Sequence, residues 1–523
     1  MYQEDVFIGE IQRLQSEVAG RDALIVKHSE RLNLFEDEVS RLHEIIREMK
    51  KRIYGPRKER WLDQDQLGLF NEAEVEASKP EEDEESEGVE VKPHVRKRGK
   101  RKPLPDNLPT EVRVIDLKPE EKVGPDGSPL VLRVVGKEIS KKLEYTPASM
   151  SVIEYHRLKY EVVKDDGETG VLTAPPVPSI IPKGIATPSL LSGVVVNKYG
   201  LGLPLYRQEE MFKWSGVHLP RSTQGRWVVQ AAQAARPIWN VLEEKLMSSR
   251  YVVCDETWTQ VLKEDGKTAE SQSFMWVRSN PSDQEKIALF DYDPTRAGAV
   301  AARLFADFDG VLQVDGYGGY NILEKNPKIT RIGCNMHGRR KFHEAKTAGA
   351  DKGHSLAEQG LKFYQRLYDI EDKAKEKNLS NDERHELRQK ESVPIWDEMK
   401  LWADTNARKV PPKSKIGKAF NYFLNEYEYL RGYLKAGHLE MDNGFVERAI
   451  KYFAIGRNNW LFSDTVEGAE ASSLFYSFVV TARLNGVNPF DALTKIFTEL
   501  PYAQTIDDFE RLAGYILTRP PPS

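Results

Sequence analysis

Hydrophobic residues recur every seven positions near the start of the chain. One heptad position carries Ile11, Val18, Ile25, Leu32, Val39 and Ile46. The other main position carries Leu14, Phe35, Leu42 and Met49, and is interrupted by Arg21 and His28. This seam predicts a coiled coil over residues 1–54 that joins copies of the chain into a homo-oligomer, and its β-branched residues favour two strands. An amphipathic helix packed on its own chain is the alternative.

The pattern then becomes strongly polar. Gly55 and Pro56 end the helix, and Glu72–Glu90 holds ten acidic residues against one basic residue. This composition predicts a disordered linker over residues 55–92. The net charge of the whole chain is −5, but the chain outside this segment is mildly basic. Net charge therefore does not exclude a nucleic-acid partner.

A basic run follows within residues 93–110. Its cations are Arg96, Lys97, Arg98, Lys100, Arg101 and Lys102. Flanking prolines keep such an arm extended, so that it can neutralise DNA phosphates or lie in a minor groove. A solvated charge run that balances the acidic linker is the alternative.

Short alternating runs occupy residues 111–165. They include VLRVVG and MSVIEYHRLKYEVV, and a Gly-Pro-Asp-Gly turn lies at positions 124–127. These features predict a small β module.

Residues 166–247 are predicted to be helical. Two helices are expected at Thr187–Lys198 and Leu205–Trp214. After a glycine-containing turn, Ser222 caps a third helix that begins at Thr223. This order is that of a helix-turn-helix, and equally that of any helical hairpin. In the first case the residues that contact DNA are Arg221, Gln224 and Arg226.

The segment after residue 248 alternates strands and a helix. The predicted strands are YVVCDETWTQVL, SFMWVRS and KIALFDY, followed after a helix at about 296–305 by VLQVD. Three strands, a helix and another strand predict an α/β catalytic core of the ribonuclease-H-like type over residues 248–345. Within it, Gly333–His337 is predicted as a further short strand and Arg339 as the start of a helix.

The core is predicted to be interrupted. Residues 346–438 are charged and strongly helical, which predicts a large helical insertion. Residues 439–523 then return to the core with its last acidic helix and the closing C-terminal helices.

Three carboxylates are candidates for a metal site. Asp255 lies in an apolar strand, where an unpaired carboxylate costs several kcal/mol, so hydrogen bonds or a cation must satisfy it. Asp315 follows a strand, although Asp-Gly there is also an ordinary turn. Glu447 opens a helix, where the helix dipole or a pair with Lys451 also explains an acid. Together they provide what Mg²⁺-dependent phosphoryl transfer requires.

Two further features bound the setting of the protein. The two cysteines, Cys254 and Cys334, exclude a disulfide framework and fit a reducing compartment. No run approaches the roughly 18 apolar residues of a membrane helix, and the N-terminus lacks the shape of a signal peptide. We therefore expect a cytoplasmic protein without a membrane partner.

Several long motifs surround the candidate acids. They are DETWTQVL, LQVDGYGGYN, GCNMHGRRKFHEA and DNGFVER with AIGRNNWLF, joined by IYGPRKERW with LGLFNEAE, RKPLP, LPLYRQE and RSTQGRWV. Together they resemble the transposases of the insertion-sequence-66 family over almost the whole chain. The resemblance implies a bacterial, nucleoid-associated DDE transposase with a core of the retroviral-integrase superfamily.

The resemblance also assigns roles to residues. Asp255, Asp315 and Glu447 would be the catalytic triad that binds two Mg²⁺ or Mn²⁺ ions. Cys334 and His337 match a Cys-x-x-His signature, which would place His337 near the active site as a catalytic residue, or leave it as a structural histidine. The residues facing DNA would be Arg339, Arg340, Lys341, Arg448, Lys451, Arg457 and Trp460. The tryptophan would stack on a base or simply pack.

One departure from the family concerns zinc. Family members commonly carry two cysteine pairs in the small β module, and the corresponding positions here are Gly124, Gly127, Val162 and Asp165. We therefore expect a degenerate module without zinc. Cys334 and His337 alone do not complete a tetrahedral zinc site.

The predicted function is that of an insertion-sequence transposase. It would cut the element ends and join the freed 3′-OH to target DNA. Its partners would be double-stranded DNA, carrying the terminal inverted repeats or the target, and accessory proteins of the same element. A catalytically silent end-binding regulator and a structure-specific nuclease on the same core are the alternatives. The complete triad favours the enzyme over the regulator, and the coiled coil and basic arm favour the transposase over the nuclease.

Overall fold

The structure is a computed structural model that describes scattered positions between residues 18 and 39 and the ranges 150–163, 169–281, 285–346 and 355–518. The positions described between Val18 and Val39 are helical. Most of the predicted coiled coil, the acidic linker, the basic arm from Arg96 to Lys102 and most of the predicted β module lie outside the described residues.

The chain divides into two compact units. One comprises residues 66–156, and the other comprises residues 1–65 and 157–523. The described part of the first unit, residues 150–156, is exposed and forms neither helix nor strand. Among the described residues, no helix has both the length and the apolar character needed to cross a membrane.

An antiparallel hairpin opens the larger unit. Its strands are β1 (Lys159–Val163) and β2 (Thr169–Thr173), paired so that Lys159 faces Thr173. The predicted boundary between β module and helical region, at residue 165, therefore cuts through this hairpin.

Three helices follow: α1 (Pro188–Tyr199), α2 (Leu205–Trp214) and α3 (Arg221–Met247). The third begins earlier than predicted, with Pro220 at the N-cap, so that Ser222 lies inside the helix instead of capping it. Gln224 is fully buried and donates from Nε2 to the Leu219 carbonyl at 2.9 Å. It therefore closes the turn between α2 and α3, and the predicted DNA contact by Gln224 is wrong. Arg221 and Arg226 are exposed.

A six-stranded mixed sheet lies at the centre of this unit. Its strands are β3 (Tyr251–Lys263), β4 (Gln272–Ser279), β5 (Ala288–Asp293), β6 (Gly310–Val314), β7 (Ile329–Gly333) and β8 (Ser463–Thr465), with helix α4 (Gly298–Leu304) between β5 and β6. The order across the sheet is β5, β4, β3, β6, β7, and β8 pairs with the far end of β3. The first three strands are antiparallel, whereas β6 and β7 run parallel to β3.

The strand predicted at Gly333–His337 is wrong. The strand β7 ends at Gly333, and helix α5 (Asn335–Ala345) begins two residues later. A charged residue within β7, Arg331, hides the strand pattern. Its guanidinium is buried and bonds to Glu426 at 2.8 Å, a partner that the local sequence does not reveal.

The described residues of the insertion, from 355 onwards, form five α-helices: α6 (Leu356–Glu376), α7 (Asn381–Leu387), α8 (Val393–Ala407), α9 (Lys415–Asn425) and α10 (Tyr427–Leu430). A π-helical turn at Arg388–Ser392 joins α7 to α8. Phe342 of α5 packs edge-on against Phe420 of α9, with ring centroids 5.7 Å apart. The insertion thus shares one apolar core with α5.

Four helices complete the unit: α11 (Gly444–Trp460), α12 (Val466–Leu484), α13 (Pro489–Glu499) and α14 (Ile506–Leu517). Helix α12 covers the edge strand β5. Its Ser477 hydroxyl accepts from the Phe290 N–H at 2.8 Å, and its Thr481 hydroxyl accepts from the Ala288 N–H at 3.0 Å. These side chains satisfy edge-strand donors that would otherwise be buried unpaired.

Candidate active site

The parallel pairing of β3 with β6 brings the two aspartates together. Its register pairs Val253 with Gln313. Asp255 and Asp315 each lie two residues beyond this last pair, and the charge of Asp315 acts on the Asp255 carboxyl. Asp315 directly follows β6, so the pair lies at the carboxyl end of that strand. This is the edge at which α/β sheets bind ligands.

Asp255 lies in an excess of negative charge. Its Oδ1 accepts the Glu256 N–H at 2.8 Å, and its Oδ2 accepts from Asn443 Nδ2 at 3.4 Å. Burial raises the pKa of the carboxyl well above its ordinary value, and the charges of Glu256, Asp315 and Glu447 raise it further. A cation at this position would relieve that repulsion.

Asp315 serves in a turn and in the site at once. Its Oδ1 accepts the Tyr317 N–H at 2.9 Å, which closes the turn, while its Oδ2 lies 3.8 Å from the Arg296 guanidinium. A Cβ at Gly316 would lie only 2.6 Å from the ring of Tyr422. The Asp-Gly pair therefore forms the turn that was one of the two interpretations left open by the sequence.

Glu447 enters the site from the first turn of α11. Its Oε1 lies 3.5 Å from the Arg340 guanidinium of α5. The start of α11 is held by Asp442, whose carboxylate accepts the Gly444 N–H at 2.9 Å and the Tyr368 hydroxyl of α6 at 2.9 Å. The insertion thus helps to fix Glu447, whose charge, like that of Asp315, acts on the Asp255 carboxyl.

His337 lies beside Glu447, as the resemblance implied. One ligand atom from each of Cys334, His337 and Glu447 lies within 4.8 Å of the other two. A thiol, an imidazole and a carboxylate are donors that zinc accepts. However, Cys334 is fully buried, and burial raises the pKa of its thiol well above the ordinary value. The sulfur is already engaged in hydrogen bonds with Asn443, and three donors do not complete the four-ligand shell of a structural zinc ion.

A fourth buried carboxylate, Glu256, was not predicted. Its side chain is 1% exposed and accepts hydrogen bonds from the Arg296 guanidinium and the Tyr320 hydroxyl. Burial raises its pKa, although the charge of Arg296 opposes the shift. From the sequence, Asp255 alone was considered in this strand. The signal available was the Asp-Glu pair itself, within an otherwise apolar strand.

The predicted DNA-facing residues fall into two groups. Arg448 and Lys451 are exposed on α11, and Arg339, Arg340 and Lys341 are half-buried on α5. Arg457, by contrast, is 4% exposed, donates to the Thr257 hydroxyl at 3.0 Å and stacks 4.0 Å from the ring centroid of Trp258. Arg457 therefore braces β3, and the predicted phosphate contact by this residue is wrong.

Trp460 packs in the core. Its ring lies 6.3 Å from the ring of Tyr199 and 6.3 Å from that of Tyr476, measured between centroids. Of the two fates that the sequence left open for Trp460, the structure shows packing.

Comparisons with known proteins cover nearly all of these elements. A family model described as transposase IS66 family matches residues 183–471, and one described as IS66 C-terminal element matches residues 477–513. A third, described as transposase C of IS166 homeodomain, matches residues 41–113, which lie outside the described part of the chain.

Similar proteins occur in Sinorhizobium fredii (strain NBRC 101917 / NGR234). The uncharacterized protein y4qI is 30% identical over 405 residues, which cover 75% of this chain and 74% of that protein. The uncharacterized protein y4hP is 28% identical over 469 residues, which cover 85% of this chain and 83% of that protein. The IS66 family model alone matches more than half of the chain and spans the sheet and all three acids. The chain belongs to the IS66 family of transposases.

Proposed function

We propose that this protein is a DDE transposase that cuts the ends of its insertion sequence and joins the freed 3′-OH to target DNA. Family membership implies DNA transposition. The observation that carries the mechanism is the convergence of Asp255, Asp315 and Glu447, from β3, the end of β6 and α11, in one region where their charges raise the pKa of Asp255. Perturbed carboxylates gathered at a sheet edge are typical of a functional site.

The core is proposed to be ribonuclease-H-like. Three antiparallel strands followed by two parallel strands, in the order β5, β4, β3, β6, β7, support this assignment. The large helical insertion lies between β7 and the helix that carries Glu447.

The donor set fits Mg²⁺ or Mn²⁺. The residues that would hold the ions are Asp255, Asp315 and Glu447, whose carboxylate oxygens are the ligands that these hard cations prefer. Bound there, such ions would supply stabilisation of the charge that develops on the oxygens of a phosphoryl transfer. Burial and the charges of Glu256, Asp315 and Glu447 raise the pKa of Asp255, and a bound cation would offset this repulsion.

The protein's own residues have separate tasks in this proposal. The turn at Tyr317 and the N–H of Glu256 orient the two aspartates. Lys451 lies four residues after Glu447 on α11, so both side chains lie on one face of the helix. Lys451 is exposed and would contact a DNA phosphate beside the site. His337, which lies next to Glu447, is proposed as a further catalytic residue of this site.

The test compares the full-length wild type with Glu447→Gln on DNA that carries the element's own ends, in Mg²⁺ or Mn²⁺. We expect cleavage and joining by the wild type and background activity by the variant, with end binding retained. A matched control is Glu510→Gln, which changes an exposed glutamate of α14 in the same way. This control should cut and join like the wild type.

Each alternative has its own outcome in this assay. Full activity of Glu447→Gln would contradict the assignment of the third acid. A wild type that binds ends but never cuts, even with the other proteins of the element, would support the silent regulator. Cutting without joining would support the nuclease.

A further inference from the structure

The buried thiol of Cys334 makes an ordered set of hydrogen bonds. The sulfur accepts the Asn443 N–H at 3.4 Å and the backbone N–H of His337. Sγ in turn lies 2.9 Å from Asn443 Oδ1. Because two backbone donors already occupy the acceptor side of the sulfur, the S–H proton is the group that points to the amide oxygen.

This bond fixes the direction of the Asn443 amide. Asn443 is fully buried, and its Nδ2 donates to Asp255 Oδ2 at 3.4 Å. A carboxylate accepts and does not donate, so the amide must present its nitrogen to Asp255 and its oxygen to the thiol. The assignment of the two amide atoms is therefore set by both neighbours.

The three residues come from separate elements. Cys334 stands at the N-cap of α5, Asn443 at the N-cap of α11, and Asp255 within β3. The chain of contacts from thiol to amide to carboxylate thus connects the helix of His337, the helix of Glu447 and the strand of the first acid. A shift of any one of these elements would therefore change the position of the Asp255 carboxylate.

We propose that Cys334 and Asn443 are positioning residues that hold the Asp255 carboxylate in the orientation that a divalent cation needs. The inference deepens the proposed function and rests on it for the identity of the ion. Removing a group that orients a metal ligand by a hydrogen bond lowers metal affinity by about 10- to 100-fold.

The proposal predicts which changes matter. Cys334→Ala removes the S–H donor that holds the oxygen end of the amide, so that the Asn443 side chain loses one of the two contacts that fix it and holds the Asp255 carboxylate less firmly. Cys334→Ser keeps a donor at the same place and should preserve the orientation. Asn443→Leu keeps the branching and the number of heavy atoms of the side chain but removes the donor to Asp255. Its side chain does not cap α11, so the helix loses no capping bond.

The chain supplies a matched control in its second cysteine. Cys254 is also fully buried and directly precedes Asp255. Its sulfur lies 3.6 Å from the Tyr320 hydroxyl, which also donates to Glu256. Cys254→Ala therefore opens the same small cavity in the same region, while the contact between Asn443 and Asp255 is kept.

The experiment measures Mg²⁺ binding to the full-length chain by calorimetry and by the Mg²⁺-dependent rise in Tm, without DNA. Mg²⁺-dependent cleavage is measured in parallel. We expect Cys334→Ala and Asn443→Leu to bind Mg²⁺ about 10-fold more weakly or worse, and to require correspondingly more Mg²⁺ for cleavage. Cys334→Ser and Cys254→Ala should bind Mg²⁺ like the wild type. A purely structural role would lower Tm in all three cysteine variants without changing the Mg²⁺ dependence.

Three results would overturn the inference. The first is wild-type Mg²⁺ affinity in both Asn443→Leu and Cys334→Ala. The second is a loss in Cys254→Ala as large as that in Cys334→Ala. The third is an absence of Mg²⁺ binding by the wild type. Failure of the proposed function gives a different pattern, because the wild type would then bind Mg²⁺ with the expected dependence on Cys334 and Asn443 but leave the DNA ends uncut.

Discussion

Two clusters of charged side chains in the larger unit have opposite electrostatics. In the insertion, Glu371 of α6 accepts hydrogen bonds from the guanidinium groups of Arg384 and Arg388. Burial alone would raise the pKa of this carboxyl, but the two cations hold it below its ordinary value. In the core, burial and three neighbouring carboxylates raise the pKa of Asp255. The charge of Glu371 is neutralised by two arginines of the same chain, and we call this group the neutralised cluster. The carboxylates around Asp255, the acidic cluster, instead favour the binding of a cation from solution.

The neutralised cluster also supports the other one. Arg388 donates to the carbonyl of Leu439 at 2.9 Å, and Arg384 bonds to the carboxylate of Glu440 at 2.9 Å. These two residues lead directly into Asn443 and α11. The insertion therefore anchors the segment that carries the third acid into the site, and the comparison separates a cluster that stabilises the fold from one that is suited to chemistry.

The largest expected effect comes from breaking the neutralised cluster. Glu371→Gln leaves the guanidinium of Arg388, which is 0% exposed, without its full counter-charge. Removing one partner of a buried ion pair costs about 3–5 kcal/mol, and urea denaturation should show a loss in this range.

A surface pair provides the control for that measurement. Asp404 pairs with Lys400 on the exposed face of α8, and Asp404→Asn should lower the free energy of unfolding by at most about 1 kcal/mol. Equal losses in the two variants would mean that Glu371 contributes no more than a surface acid.

The next largest effect is the stabilisation of the acidic cluster by metal. Mg²⁺ at 100 times its dissociation constant should raise the free energy of unfolding by about 2.7 kcal/mol, because it binds the folded chain. Asp255→Asn should abolish this rise, whereas Glu371→Gln should keep it. Denaturation with and without Mg²⁺ measures both. A rise that survives in Asp255→Asn would place the ion elsewhere.

In the absence of metal, Asp255→Asn should change the free energy of unfolding in the opposite direction to Glu371→Gln. Asp255→Asn removes one charge from a cluster of like charges and should stabilise the metal-free protein by about 1 kcal/mol, as strained functional sites often allow. Chemical denaturation in a chelating buffer checks the sign. A loss comparable to that of Glu371→Gln would show that Asp255 is paired as a structural acid.

The sequence located the acidic cluster better than the neutralised one. Strand periodicity around Asp255 and Asp315, with the motifs that resemble a family, was enough to group the acids, because parallel strands meet at one edge. The contact between Cys334 and Asn443 joins residues 109 positions apart, and no local pattern encodes it. The cluster at Glu371 was missed for the same reason, since a charged helical stretch usually describes a solvated surface.

Burial of basic residues was the other source of error. Arg457 stands in a basic, aromatic stretch, AIGRNNWLF, that is typical of a DNA-facing surface. In the structure its guanidinium stacks on Trp258 of β3, a contact set by the approach of α11 to the sheet. Arg331 misled the prediction in the same way, because its partner Glu426 comes from the insertion. Sequence patterns give the charge of such residues but not the tertiary partner that neutralises it.

The smallest and most discriminating effect is the pH dependence of stability, measured without divalent ions. The lowered pKa of Glu371 stabilises the fold above the ordinary carboxyl pKa, and this contribution is lost as pH falls through the lowered value. The deficit of Glu371→Gln against the wild type should therefore shrink in acid. The raised pKa of Asp255 has the reverse sign, because its favourable contribution is complete below the ordinary pKa and is lost as pH rises through the raised value. The advantage of Asp255→Asn should therefore grow towards neutral pH. The test is to measure the free energy of unfolding of the three proteins from acid to neutral pH. The difference between each variant and the wild type, plotted against pH, should slope in opposite directions for the two variants. Parallel slopes would mean that the two clusters do not differ in charge balance.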